Sequence, residues 1–195
     1  MGNAKNTQQN IQWSLEAALQ GLAFWISYRQ VLCYEHPINE GALVAELVTL
    51  LRAKLDSEFI ILNERKFNKN SRERMDIEIV KKDSEERIAI IEVKRFFAGK
   101  TLINKDIEKL TDAKKQKKNE EVLCYLAVIS ENEIPKTFVE NGRAVRKNLS
   151  LEKNFTANIR VLKSMRSFKG KNGNIPNANY CCLLKISHIN QGEKQ

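Results

Sequence analysis

Apolar positions follow two rhythms along this chain. The first is helical. Ile11, Leu15, Ala18, Leu19, Leu22, Phe24, Trp25 and Ile26 form a wide apolar stripe on a helix predicted over 11–34 and ended by Pro37. Residues 1–10 are polar and are expected to be disordered. Leu43, Val44, Leu47, Val48, Leu50, Leu51 and Leu55 repeat at helical spacing over 39–56. Asn39 is the N-cap of that helix, and Glu40 sits in its first turn, where the dipole favours an acid. The second rhythm is that of strands, in Ile/Val-rich runs at 58–67, 75–82 and 87–94, with a polar turn over 81–86 between the last two. A helix over 104–118 has Ile107 and Leu110 on one side and Lys109, Lys114, Lys115, Lys117 and Lys118 elsewhere, reading as a solvated lysine face. A continuous apolar strand follows at 122–130. Pro135 opens a helical segment stopped by Gly142, and strands at 158–167 and 179–188 flank a Lys/Asn/Gly turn.

The run Ile88-Ala89-Ile90-Ile91 is apolar on both faces, which predicts a central strand buried on both sides. Strand alternation sends Glu92 and Lys94 to one face and Ile91 and Val93 to the other. Two charges at the end of such a strand are costly unless partnered. Asp76, on the adjacent strand of the short hairpin, is the natural neighbour. Two carboxylates and an ammonium at a buried strand end can hold a hard divalent cation and activate a water. Glu46 lies on the apolar side of helix 39–56, between Leu43 and Leu50, where an unpaired glutamate is rare and calls for a partner. Glu40 is the alternative, although its place at the cap already explains it. Glu78 shares the face of Asp76 and reads as an exposed strand acid.

This constellation resembles the PD-(D/E)XK nuclease superfamily, the restriction-endonuclease-like fold. Asp76 matches the family aspartate, and Glu92-Val93-Lys94 matches the (D/E)XK tripeptide sixteen positions on; Met75 stands where the family has proline. The order α-β-β-β-α-β over about 39–130 is similar to the family core. The resemblance implies an α/β fold with a restriction-endonuclease-like core: a central mixed sheet flanked by helices, with an N-terminal helical extension. Residues 1–36 would be the tail and helix, and 37–190 the core including a basic C-terminal hairpin. It implies a Mg²⁺-dependent endonuclease hydrolysing DNA phosphodiester bonds, with Mn²⁺ able to substitute. Asp76 and Glu92 would hold the metal, with the Val93 carbonyl and Glu46 as further ligands, and Lys94 would orient the attacking water. A restriction or phage-defence nuclease is the first expectation, and a repair or junction-resolving nuclease the second. A catalytically silent nucleic-acid-binding module, and a protein-interaction domain with a structural ion-pair cluster, are the readings from other classes. No helicase, methyltransferase or separate targeting domain is visible within the 195 residues, so action alone or as a homodimer is expected.

Charge adds a partner. The net charge is +9, and from Lys153 to Gly192 there is no Asp or Glu. A one-signed segment favours a polyanion, and DNA fits best because neutralised phosphates release counterions. Lys163, Arg166, Lys169 and Lys171 are the expected backbone contacts. An anionic membrane fits less well, since the segment has strand and turn signals in place of an amphipathic helix. No apolar run reaches membrane-spanning length and no signal peptide is evident, so the expected location is cytoplasmic. Cys33, Cys124, Cys181 and Cys182 show no CxxC spacing and read as buried thiols, and His36 and His188 are too far apart in sequence to argue for zinc.

Overall fold

A computed structural model of the chain describes residues 2–32, 38–66, 73–96, 99–116, 119–131, 138–140, 143–144, 148–151, 154–165 and 178–189. Helix α1 (Gly2–Leu32) precedes α2 (Glu40–Arg52), the strands β1 (Phe59–Lys66), β2 (Arg74–Lys81) and β3 (Arg87–Arg95), and helix α3 (Gly99–Lys115). Then come β4 (Leu123–Ser130), the short strands β5 (Val139–Glu140), β6 (Arg143–Ala144) and β7 (Asn148–Ser150), and the long pair β8 (Phe155–Met165) and β9 (Asn179–His188). The fold is α/β. Seven strands form one mixed sheet in the order β1-β2-β3-β4-β9-β8-β7. β3 and β4 run parallel, while the other pairings in this sheet are antiparallel. Parallel neighbours need a crossover, and α3 supplies it.

Strand alternation divides the core into two layers. On one face Ile77, Ile79, Ala89, Ile91, Val93, Tyr125 and Ala127 meet Leu15, Leu19 and Leu22 of α1 and Leu43, Leu47 and Leu51 of α2. On the other, Ile90, Cys124, Leu126, Val128 and Leu184 meet Ile103, Ile107, Leu110 and Ala113 of α3. Each such Leu or Ile contributes roughly 1.5–3 kcal/mol on burial. β3 and β4 lie inside the sheet with apolar residues on both faces, as the run at 88–91 predicts.

Several expectations are corrected. The chain is helical from Gly2, where disorder was expected over 1–10. The Gln8 side chain donates to the Glu121 carbonyl oxygen, and that of Asn10 donates to Asp56, so polar residues are tied to the end of the sheet. The stripe Ile11, Leu15, Ala18, Leu19, Leu22, Ala23 and Ile26 is fully buried in the main core, so α1 is a layer of that core and not an extension of it. α1 and α2 approach closely at Gly21, where a Cβ would lie 3.1 Å from Leu50 Cδ2. Val139–Glu140, expected to be helical, pairs as a strand with Arg143–Ala144; the preceding residues 132–137 lie outside the described set. Lys114 is buried, its Nζ donating to the Glu120 and Val122 carbonyl oxygens at 2.6 and 2.5 Å. Burial lowers its pKa, so this residue does not belong to a solvated face. Cys124, Cys181 and Cys182 are buried free thiols, and Cys33 lies outside the described residues. Among the described residues no helix is long and apolar enough to cross a membrane.

Candidate functional site

The C-terminal end of β3 carries charge into a buried setting because its apolar run stops at Ile91 while the strand continues to Arg95. Glu92 is buried, and Lys94 is half-buried. On neighbouring β2, Asp76 Oδ2 accepts the Val93 N–H at 2.7 Å, which docks this carboxylate onto β3. Glu92 Oε2 accepts from Lys109 Nζ of α3 at 3.0 Å, whereas Glu92 Oε1 is buried with no hydrogen-bond partner. Lys94 Nζ lies 3.0 Å from Glu40 Oε1 and 3.6 Å from Asp106 Oδ2. The Arg95 N–H donates to Glu40 Oε2 at 3.1 Å, so Glu40 holds the backbone and the ammonium of β3 together. Asn39 sets Glu40 in place: its side chain accepts from Ala42 N at 2.7 Å and starts α2 one residue before the acid.

Electrostatics follow from crowding acids in a poorly solvated corner. Burial, then the charge of Asp76, pushes the Glu92 carboxyl from 4.5 up to about 8, against the pull of Lys109. Burial also raises Asp76, opposed by the Val93 N–H and by Lys109, and raises Asp106, opposed by Lys94 and Lys109. For Lys94, burial favours the neutral amine, but the Glu40 hydrogen bond and the Asp106 charge outweigh it, and its pKa is raised. Lys94 is therefore a cation at neutral pH, while Glu92 holds a proton far more readily than an ordinary carboxyl group. Shifts of this kind, caused by burial plus specific partners, mark candidate functional sites.

The fold thus brings Asp76, Glu92 and Lys94 together. Val93 turns its side chain into the opposite core and offers its N–H to Asp76. Glu46 is not drawn in: among the described residues it makes no hydrogen bond or ion pair with this cluster, whereas Glu40 contacts Lys94 and the Arg95 N–H. Glu46 lies six residues further on, nearly two helical turns away and on a different side of α2. Glu78, expected to be exposed, is buried and paired with Arg87 and Arg65. Lys163 lies on β8, opposite Cys181, whereas Arg166, Lys169 and Lys171 lie outside the described residues. Asp106 and Lys109 of α3 are also part of the cluster, so Lys109, like Lys114, does not belong to a solvated lysine face. Their signal in the sequence is faint: an acid and a base three apart, flanking the buried stripe Ile103, Ile107 and Leu110.

Comparisons with protein-family models, with curated proteins and with solved structures find no match.

Among the described residues no group of three or more His, Cys, Asp or Glu side chains forms a ready-made metal cage. Mg²⁺ does not require one, since it commonly takes one or two carboxylates and keeps several waters. Asp76 and Glu92 are hard oxygen donors, and the unpartnered Glu92 Oε1 is a buried acceptor without a donor. This pair fits such a cation.

Proposed function

We propose that this chain is a divalent-metal-dependent nuclease of the PD-(D/E)XK type, hydrolysing DNA phosphodiester bonds with Mg²⁺, for which Mn²⁺ substitutes. The observation that carries this reading is the convergence of Asp76, Glu92 and Lys94 at one buried strand end, with Asp76 docked on the Val93 N–H. The order α2-β1-β2-β3-α3-β4, with β4 parallel to β3, supports a restriction-endonuclease-like core. The net charge of +9 and the acid-free stretch after Lys153 support a nucleic-acid partner. Buried free thiols fit a reducing cytoplasm.

Asp76 and Glu92 would hold the metal. A bound Mg²⁺ supplies Lewis-acid polarisation of a phosphate oxygen and makes hydroxide available near neutral pH. Lys94 keeps its charge through Glu40 and Asp106 and presents a compact cation to the negative charge that develops on the phosphate. Glu40 is a positioning residue: it fixes the Lys94 ammonium and the Arg95 N–H from the start of α2. The test is cleavage of plasmid and oligonucleotide DNA with Mg²⁺, with Mn²⁺ and with excess EDTA. Cleavage that needs either metal is expected, and activity undiminished in EDTA would sink the mechanism.

A second reading, a catalytically silent nucleic-acid-binding module, draws on the pairing already present in the cluster, Glu92 with Lys109 and Lys94 with Glu40. DNA binding without cleavage under any metal would favour it.

A further inference from the structure

Two lysines face the acids at the end of β3, and they are committed differently. Lys94 is held by Glu40 and Asp106. Lys109 instead seats its ammonium on Glu92 Oε2 at 3.0 Å, and on the Arg74 carbonyl oxygen. Asp76 and Asp106 also lie within its electrostatic reach. A carboxylate oxygen, a backbone carbonyl oxygen and two further acids make an all-oxygen, net-negative environment, the kind that suits a hard cation. The ammonium occupies it on a four-carbon stem that is 17% exposed and so has a way out to solvent.

We infer that Lys109 is a resident stand-in for the metal: its ammonium sits on Glu92 while the site is metal-free, and a divalent cation competes with it for that carboxyl group. This inference rests on the nuclease reading and adds a gate to it. Glu92 and Asp76 cannot both stay ionised at close range without a counter-charge. A covalently tethered lysine provides one and keeps the strand end folded in the absence of metal. It also competes for the Glu92 carboxyl group, so intrinsic metal affinity is lowered. Once released, the ammonium remains on α3 beside the site, where an incoming phosphate is a natural partner.

The test is calorimetric titration of Mn²⁺ and Mg²⁺ into the whole chain and into Lys109→Met and Lys109→Gln, with melting temperatures measured with and without metal. Lys109→Met keeps the apolar stem. Lys109→Gln keeps a hydrogen-bond donor for the Arg74 carbonyl and guards against a folding defect. Both variants are expected to bind metal about 10-fold more tightly or better, since a charge-assisted hydrogen bond no longer has to be broken. Both should melt lower than the parent without metal and gain more from its addition. Metal binding only after Lys109 is replaced would support the gate in its strongest form. Unchanged or weaker affinity in a folded Lys109→Gln, with the parent binding normally, overturns the inference and leaves the nuclease reading standing. No binding by any of the three chains overturns both.

Discussion

Replacing Glu92 by Gln should stabilise the metal-free protein at alkaline pH and change it little in acid. The Glu92 side chain is 4% exposed, and burial and the Asp76 charge raise its carboxyl from 4.5 to about 8. Between those values the folded chain keeps a proton on this group that the unfolded chain has released. The stability contributed by Glu92 is therefore fully present below pH 4.5 and is lost as pH rises through about 8. The gap of about 3.5 pH units, at about 1.36 kcal/mol each, sets a ceiling of about 5 kcal/mol. Relaxation around a charge in a real protein interior reduces this, and about 2–3 kcal/mol is the working expectation. Gln is nearly isosteric, is neutral at every pH, and still accepts from Lys109. The assay is urea unfolding of both chains in EDTA at about pH 5 and about pH 9. Subtracting one chain from the other removes only the part of the Asp76 and Asp106 titrations that does not depend on the Glu92 charge, so the difference reports Glu92 together with its coupling to these acids. The stability difference should grow in favour of Glu92→Gln by the working figure between the two conditions. A difference that does not change with pH would refute the claim that ionising Glu92 is costly. Excess Mg²⁺ at the higher pH should then favour the parent chain, because a cation stabilises only its carboxylate.

Lys94→Ala should lower single-turnover cleavage by roughly 10²-fold or more while metal binding persists, the scale of losing one placed electrostatic stabiliser; near-normal cleavage with a large fall in melting temperature would assign Lys94 to structure alone. Asn39→Ala should cost about 1 kcal/mol by removing the N-cap and should also weaken cleavage by loosening Glu40, and an unchanged melting curve would reject the cap. Neutralising Lys163, Arg166, Lys169 and Lys171 together should weaken DNA binding and flatten its dependence on salt, and an unaltered slope of affinity against salt would remove these residues from the interface.

What the sequence determined by itself was local and periodic. The two-residue alternation of β3 puts Glu92 and Lys94 on one face, and the short connection from β2 brings Asp76 beside them, so the heart of the site is legible from spacing. The apolar rhythm likewise marks α1, α2, α3 and the buried strands, and Asn39 announces the start of α2. Periodicity says which side of an element is apolar, but not which neighbour covers the remainder. The choice of Glu40 over Glu46 depended on where α2 begins relative to the end of β3, across 54 residues of chain. Lys109 reached Glu92 only because the crossover laid α3 on that face of the sheet, and Glu78 was buried because Arg65 and Arg87 close over it. Val139–Glu140 became a strand because a ladder partner was available, which no short window of sequence reports. A charged side chain states its preference for a partner in its chemistry, but which partner it meets is decided by the long-range packing of helices on the sheet.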